Sequence, residues 1–191
     1  MPVTFTAVVT SHANERGLIN MLAVLRYQTR PPDQTIVMCS DTRGVEQMRH
    51  DFTDVTFIEE PNQNDWGHTK RRNGTEHATG NWVGWFNDDD TYDPHYLETM
   101  LKHAGHADVV YCDWNENPDA TFQLFRSTAG NFIVKTEIAK KVGWPTGRHE
   151  VQGFPRGYCN DGIFIQALTN RTDRIVKAAR GPGGRLLYTH H

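Results

Sequence analysis

The sequence predicts an α/β domain with a Rossmann-like, mostly parallel central sheet flanked by helices, and three observations predict it. Short apolar, β-branched runs alternate with helix-compatible segments through roughly the first 112 residues, a rhythm that lays strands parallel and helices on both faces. The fourth such run ends in Trp85-Phe86-Asn87-Asp88-Asp89-Asp90, which delivers a carboxylate cluster to the strand edge where open α/β sheets bind ligands. At 191 residues the chain is long enough to bury a core without disulfides or a structural metal, so a single domain, 1–191, is expected.

The elements follow in order. Thr4 to Thr10 reads as a strand, Ser11-His12-Ala13-Asn14 as a loop, and the segment carrying Leu18, Leu22 and Leu25 as an amphipathic helix. Gln34 to Cys39 is a second strand, Val45 to His50 a short helix and Val55 to Ile58 a third strand. His68 to Ala78 is polar but helix-compatible, Gly80 can end it, and Trp82 to Phe86 is the fourth strand. Pro94 suits the first turn of a helix running to about Ala104, and Val109 to Cys112 is the next strand. Residues 1–112 thus form a nucleotide-binding half, and 113–191 a less regular second half. There, Thr121 to Phe125 and Asn131 to Val134 look like strands and Thr136 to Val142 like a helix. Gly143 to Tyr158 is a Gly/Pro-rich loop and a candidate lid. Cys159-Asn160-Asp161 opens a helix over Ile163 to Leu168, with Asn160 or Asp161 near its N-cap. Ile175 to Ala178 is a short strand, Arg180 to Arg185 a turn, and Leu186 to His191 ends the chain.

Composition excludes several classes. A formal net charge of -3 offers no general attraction to nucleic acid or to an anionic membrane. Cys39, Cys112 and Cys159 are odd in number and far apart, which argues against a disulfide framework or a CxxC zinc site. No apolar run approaches the roughly 20 residues of a membrane span and the N-terminus lacks a signal pattern, so a cytoplasmic protein is expected.

Adjacent carboxylates at a strand end repel one another, and burying them is costly unless a cation or hydrogen-bond donors compensate. A hard divalent metal compensates well, and such sites keep coordination positions for substrate phosphates. A solvated acidic turn is the plain alternative.

Taken together, the opening strand and helix, Tyr27-Gln28-Thr29 before a proline pair, Arg72-Asn73 followed by Ala78-x-Gly80, the acidic triplet before x-x-x-Pro, and Asn160-Asp161 resemble the family 2 glycosyltransferases of GT-A fold. The resemblance implies inverting transfer of a sugar from a nucleotide diphosphate donor, with a UDP-sugar favoured, to a hydroxyl acceptor. It implies Mn2+ or Mg2+ held mainly by Asp89, with Asp88 or Asp90 assisting; a C-terminal histidine, His190 or His191, would complete the metal set, and His191 is the terminal one. Asn87 stands where the family's motif begins with aspartate, and Asn can still bond a ribose hydroxyl. Thr10, Ser11 and His12 would meet the donor at the first strand end, and the resemblance assigns Asp41 to the base. Arg72 would meet the base or diphosphate, with Lys70 and Arg71 as nearby phosphate contacts. Asp161 matches the family's general base; an N-capping aspartate is the structural alternative. Of the aromatic residues, Trp66, Tyr111 and Trp144 among them, Trp114 and Tyr158 are the favoured acceptor-side candidates. The acceptor class stays open among protein, small glycan and modified nucleobase.

Two other functions fit the same residues. A nucleotidyltransferase would also use carboxylates and metal, although no Gly-rich phosphate loop follows the first strand. A non-catalytic sugar-nucleotide or glycan-binding module needs the cavity and not the base.

Overall fold

The first strand, β1 (Phe5–His12), pairs in parallel with β2 (Gln34–Ser40) on one side and β4 (Trp82–Asn87) on the other. Its central place follows from its sequence: Phe5, Ala7, Val8 and Val9 are all fully buried, so both faces are apolar and both need cover. The computed structural model describes residues 2–123, 127–147 and 160–191. Its main sheet has the order β3-β2-β1-β4-β7-β6-β8, with β3 at Val55–Glu59, β6 at Val109–Tyr111, β7 at Phe132–Lys135 and β8 at Ile175–Lys177. Only β7 runs antiparallel to its neighbours, so the sheet is the mostly parallel one the alternation predicts.

Strand alternation sends successive residues to opposite faces and so builds two apolar layers. Val9 and Phe86 join Leu18, Met21, Leu22 and Leu25 of α1 (Glu15–Arg26) on one side; Val8 and Trp85 join Phe132, Trp144 and Phe164 on the other. The α1 residues recur at helical spacing, and Asn14 caps the helix by accepting the Gly17 N–H at 3.0 Å. Helix α2 (Val45–Asp51) follows β2, and α3 (His68–Glu76) lies on β1 and β2. Gly74 permits that close approach, because a Cβ there would stand 2.4 Å from Val8 Cγ1. Helix α4 (Tyr96–Leu101) is followed by α5 (Thr136–Val142) and α6 (Asn160–Thr169).

The structure departs from the sequence expectations at a few places. Thr121–Gln123 form no strand; Phe122 instead plugs the layer against Tyr111 and Phe132, with ring centroids at 5.5 and 5.2 Å. The remainder of that predicted strand, most of the predicted lid, Tyr158 and Cys159 lie outside the described residues. Helix α4 stops at Leu101 and does not reach Ala104. A small antiparallel sheet of β5 (Thr91–Tyr92) and β9 (Tyr188–Thr189) is not anticipated at all, since each strand is too short to show a period. It has a large consequence, because it brings the chain's last residues beside the acidic loop. Among the described residues no helix is long and apolar enough to cross a membrane.

Candidate active site

The carboxyl ends of β1 and β4, the start of α3 and the start of α6 enclose a cavity of about 650 Å³. Thr10, Ser11 and His12 line it from β1, and Asn87, Asp88 and Asp89 from the end of β4. Helix α3 contributes Lys70 and Arg71, and Thr128, Asp161 and His190 close the remaining side.

The three adjacent carboxylates have three different environments. Asp90 turns inward and is satisfied by donors: Asn87 Nδ2 at 2.8 Å, Tyr188 OH at 2.9 Å, His190 Nδ1 at 2.9 Å and the His191 N–H at 3.3 Å. Asp88 is partly buried, which pushes its pKa up, against hydrogen bonds from Ser11 Oγ at 2.6 Å and from Asn14. Asp89 is exposed on the cavity wall and is the carboxylate left for a ligand. Asn87 ties the group together. Its Oδ1 accepts from Arg71 NH2 at 2.6 Å and Thr10 Oγ1 at 3.2 Å, while its Nδ2 donates to Asp90. An aspartate could accept those bonds but could not donate to Asp90, which is the physical reason for asparagine at this position. Asn87→Asp is therefore expected to cost about 1–3 kcal/mol of stability, read as a lower urea midpoint. An unchanged midpoint would refute the bridging role.

The helical phase of α3 separates its basic residues. Gly74 and Thr75 face the sheet, and Arg71, three and four positions earlier, shares that face; Arg72 points to solvent and does not line the cavity. Of the two arginines expected near the donor it is Arg71 that lines the cavity, and its guanidinium donates to the Trp66 carbonyl at 2.9 Å and lies 5.6 Å from the Trp144 ring. The small residues Gly74 and Ala78 were the sequence signal for this phase, since they mark the packed face. Lys70 is buried, which lowers its pKa, and its Nζ donates to Ser40 Oγ at 2.6 Å. Asp41, expected at the base, is exposed at a left-handed backbone (φ 53°), 3.5 Å from His12 Nδ1, and does not line the cavity.

Asp161 lies in the first turn of α6, yet its Oδ2 accepts from another segment, the Ala129 N–H at 2.9 Å and Thr128 Oγ1 at 3.2 Å. Its Oδ1 is buried, has no hydrogen-bond partner among the described residues and stands 3.6 Å from His68 Nδ1. That nitrogen accepts from Trp144 Nε1 at 3.1 Å, which assigns the proton of neutral His68 to Nε2. His68 is buried on the inward face of α3, a position the sequence does not mark as functional. Asn160 is fully buried and donates to the carbonyls of Pro145 and Gly147, pinning that segment to α6.

The C-terminal histidines also separate by phase. His190 follows Tyr188 at two residues, so both face Asp90, whereas His191 turns away and its Nε2 meets Thr91 Oγ1 at 3.1 Å. The expected ligand His191 therefore does not line the cavity, and His190 does. Its bond to Asp90 raises the His190 pKa and orients the ring. Trp114, expected on the acceptor side, is buried against Tyr188 and His190, with centroids at 6.4 and 5.9 Å, and supports that ring from behind. Among the described residues no three His, Cys, Asp or Glu side chains come close enough to hold a metal ion. The donor chemistry still fits a hard cation. Asp89 and His190 share the wall, and the Asp90–His190 pair is the carboxylate–imidazole arrangement that holds a ligating histidine in place.

Comparison with known proteins agrees with this geometry. A family model described as "Glycosyl transferase family 2" matches residues 6–160. No curated protein sequence matches the chain significantly. Among solved structures, Staphylococcus aureus TarS 1-349 superposes with a TM-score of 0.76 at 15% identity, over 98% of this chain and 60% of that one. TarS 1-349 in complex with UDP-GlcNAc gives a TM-score of 0.72, also at 15% identity, over 98% of this chain and 58% of that one. Glucosyl-3-phosphoglycerate synthase from Mycobacterium tuberculosis, in complex with Mn2+, UDP and phosphoglyceric acid, gives 0.61 at 11% identity over 92% of this chain and 68% of that one. This chain therefore spans about 60% of the TarS fragment it resembles.

Proposed function

The chain belongs to glycosyl transferase family 2, and from that premise we propose that it moves a sugar from a UDP-type donor to a hydroxyl acceptor, with inversion and with a divalent metal. One observation carries this reading: a carboxylate, Asp161, lines the same cavity as the Asp88-Asp89 end of β4 and Arg71. The solved neighbours that hold UDP, UDP-GlcNAc or Mn2+ support the donor and metal classes.

In this mechanism the Asp161 carboxylate, anchored on the Ala129 N–H, accepts the proton of the acceptor hydroxyl. The acceptor oxygen then bonds the anomeric carbon from the face opposite the diphosphate, and the electrons of the breaking bond leave with the phosphate oxygen. Arg71, held by Asn87 and the Trp66 carbonyl, presents fixed positive charge near the departing group. Asp89 and His190 would hold Mn2+ or Mg2+, which when bound supplies further positive charge to the diphosphate.

A thermal-shift panel of UDP-, GDP-, dTDP- and CDP-sugars with and without Mn2+ tests the donor. A ligand at a hundredfold its Kd stabilises by about 2.7 kcal/mol, enough for a clear rise in Tm. UDP-sugars with Mn2+ are expected to give the largest rise; no rise with any sugar nucleotide would sink the proposal. In the same assay His190→Ala should weaken the Mn2+ effect by about tenfold or more, and His191→Ala should leave it unchanged.

A further inference from the structure

The wall between β3 and α3 holds a tryptophan in an unusual setting. Trp66 is 49% exposed on the cavity and has a left-handed backbone, φ 54°. An L residue with a bulky side chain pays for that conformation, and such strain collects at ligand sites. The neighbours hold it there. Asp65 is buried with its Oδ2 on the Thr69 N–H and hydroxyl, Gly67 is also left-handed at φ 79°, and Arg71 holds the Trp66 carbonyl. The segment is thus built to present one indole to the cavity.

Charge divides the cavity into two ends. Asp88, Asp89, Asp161, His190 and Arg71 gather at the β4 side. The other wall carries Asn62, Asn64, Trp66 and His12; Asn62 Nδ2 meets His12 Nε2 at 3.1 Å, which joins this loop to the end of β1. The two cations beside it are both engaged: the Arg71 guanidinium holds the Trp66 carbonyl and Asn87 Oδ1, and the Lys70 ammonium is turned onto Ser40. A nucleoside diphosphate has the same division, a flat neutral base and a charged diphosphate. We propose that Trp66 is the stacking platform for the donor's nucleobase, a binding residue that meets the face of the base at the end of the cavity away from the carboxylates. The inference rests on the donor reading above and adds which residue meets the base.

Trp82, Trp85, Trp114 and Trp144 are buried, so acrylamide quenching of tryptophan fluorescence reads Trp66. Uridine, which carries no phosphate, and UDP are each expected to protect Trp66 from acrylamide in the wild type. Trp66→Phe should weaken UDP binding less than Trp66→Gly, and Trp66→Gly should weaken it by about 10- to 100-fold, the range of one base–aromatic stack. Glycine suits φ 54° and offsets part of the packing that the half-exposed indole loses, so affinity should follow the presence of a ring, retained in Trp66→Phe and lost in Trp66→Gly, and not follow Tm, a split that a purely structural role does not produce. Wild-type UDP affinity in Trp66→Gly overturns the platform, as does protection of Trp66 by monosaccharides and not by uridine. If no nucleoside diphosphate binds the wild type, the donor reading itself fails, and that result is seen before any variant is made.

Discussion

Asp161→Asn is expected to keep donor binding and to lose transfer, by about 10²–10⁴-fold in kcat, the usual contribution of a positioned general base. The substitution conserves shape. An asparagine Oδ1 can take over the Ala129 N–H and Thr128 Oγ1 bonds that now hold Oδ2, so the first turn of α6 keeps its anchor and Tm should move little. What disappears is the negative charge and basicity of the carboxylate, and with them the acceptor for the hydroxyl proton. The informative pair of measurements is turnover with a competent acceptor and the thermal shift caused by the donor. Full turnover in the variant would exclude Asp161 as base, and lost turnover with lost donor binding would make it a binding residue.

Arg71→Ala is expected to destabilise the fold by about 3 kcal/mol and to abolish the donor-induced thermal shift, whereas Arg72→Ala should stay within about 0.5 kcal/mol and bind normally. Arg71 is buried and joins three parts of the site through Asn87 Oδ1, the Trp66 carbonyl and the face of Trp144. Its removal leaves the part-buried Trp66 carbonyl and Asn87 Oδ1 short of a charged donor, the costly kind of loss. Arg72 sits on the solvent face of α3. Urea denaturation of the two variants side by side decides the point, and equal midpoints would contradict the phase assigned to α3.

Periodicity made much of this molecule legible. The apolar runs at β1, β2 and β4 are strong because these strands pair centrally and bury both faces, and the α1 stripe of Leu18, Leu22 and Leu25 repeats at helical spacing. From the order of those elements the acidic run had to fall at the carboxyl edge of a parallel sheet, together with Ser11, Lys70 and, through α6, Asp161. The phase of α3 was also present in Gly74 and Ala78, but the Arg72-Asn73 dipeptide is the more conspicuous pattern and points to the neighbour that does not line the cavity.

What local sequence could not decide is which of several adjacent like residues does which task. Asp88, Asp89 and Asp90 are chemically identical, and only donors up to 101 positions away distinguish them: Tyr188, His190 and the His191 N–H saturate Asp90 and leave Asp89 to a ligand. His190 and His191 are likewise separated by the β5–β9 pairing, two short strands with no periodic signal of their own. The sequence by itself determined that a parallel sheet carries carboxylates to its ligand edge, because burial and backbone period are properties of each segment. Only the tertiary structure decided which carboxylate, which arginine and which histidine face the cavity, because hydrogen-bond satisfaction is a property of partners that meet only when the chain is folded.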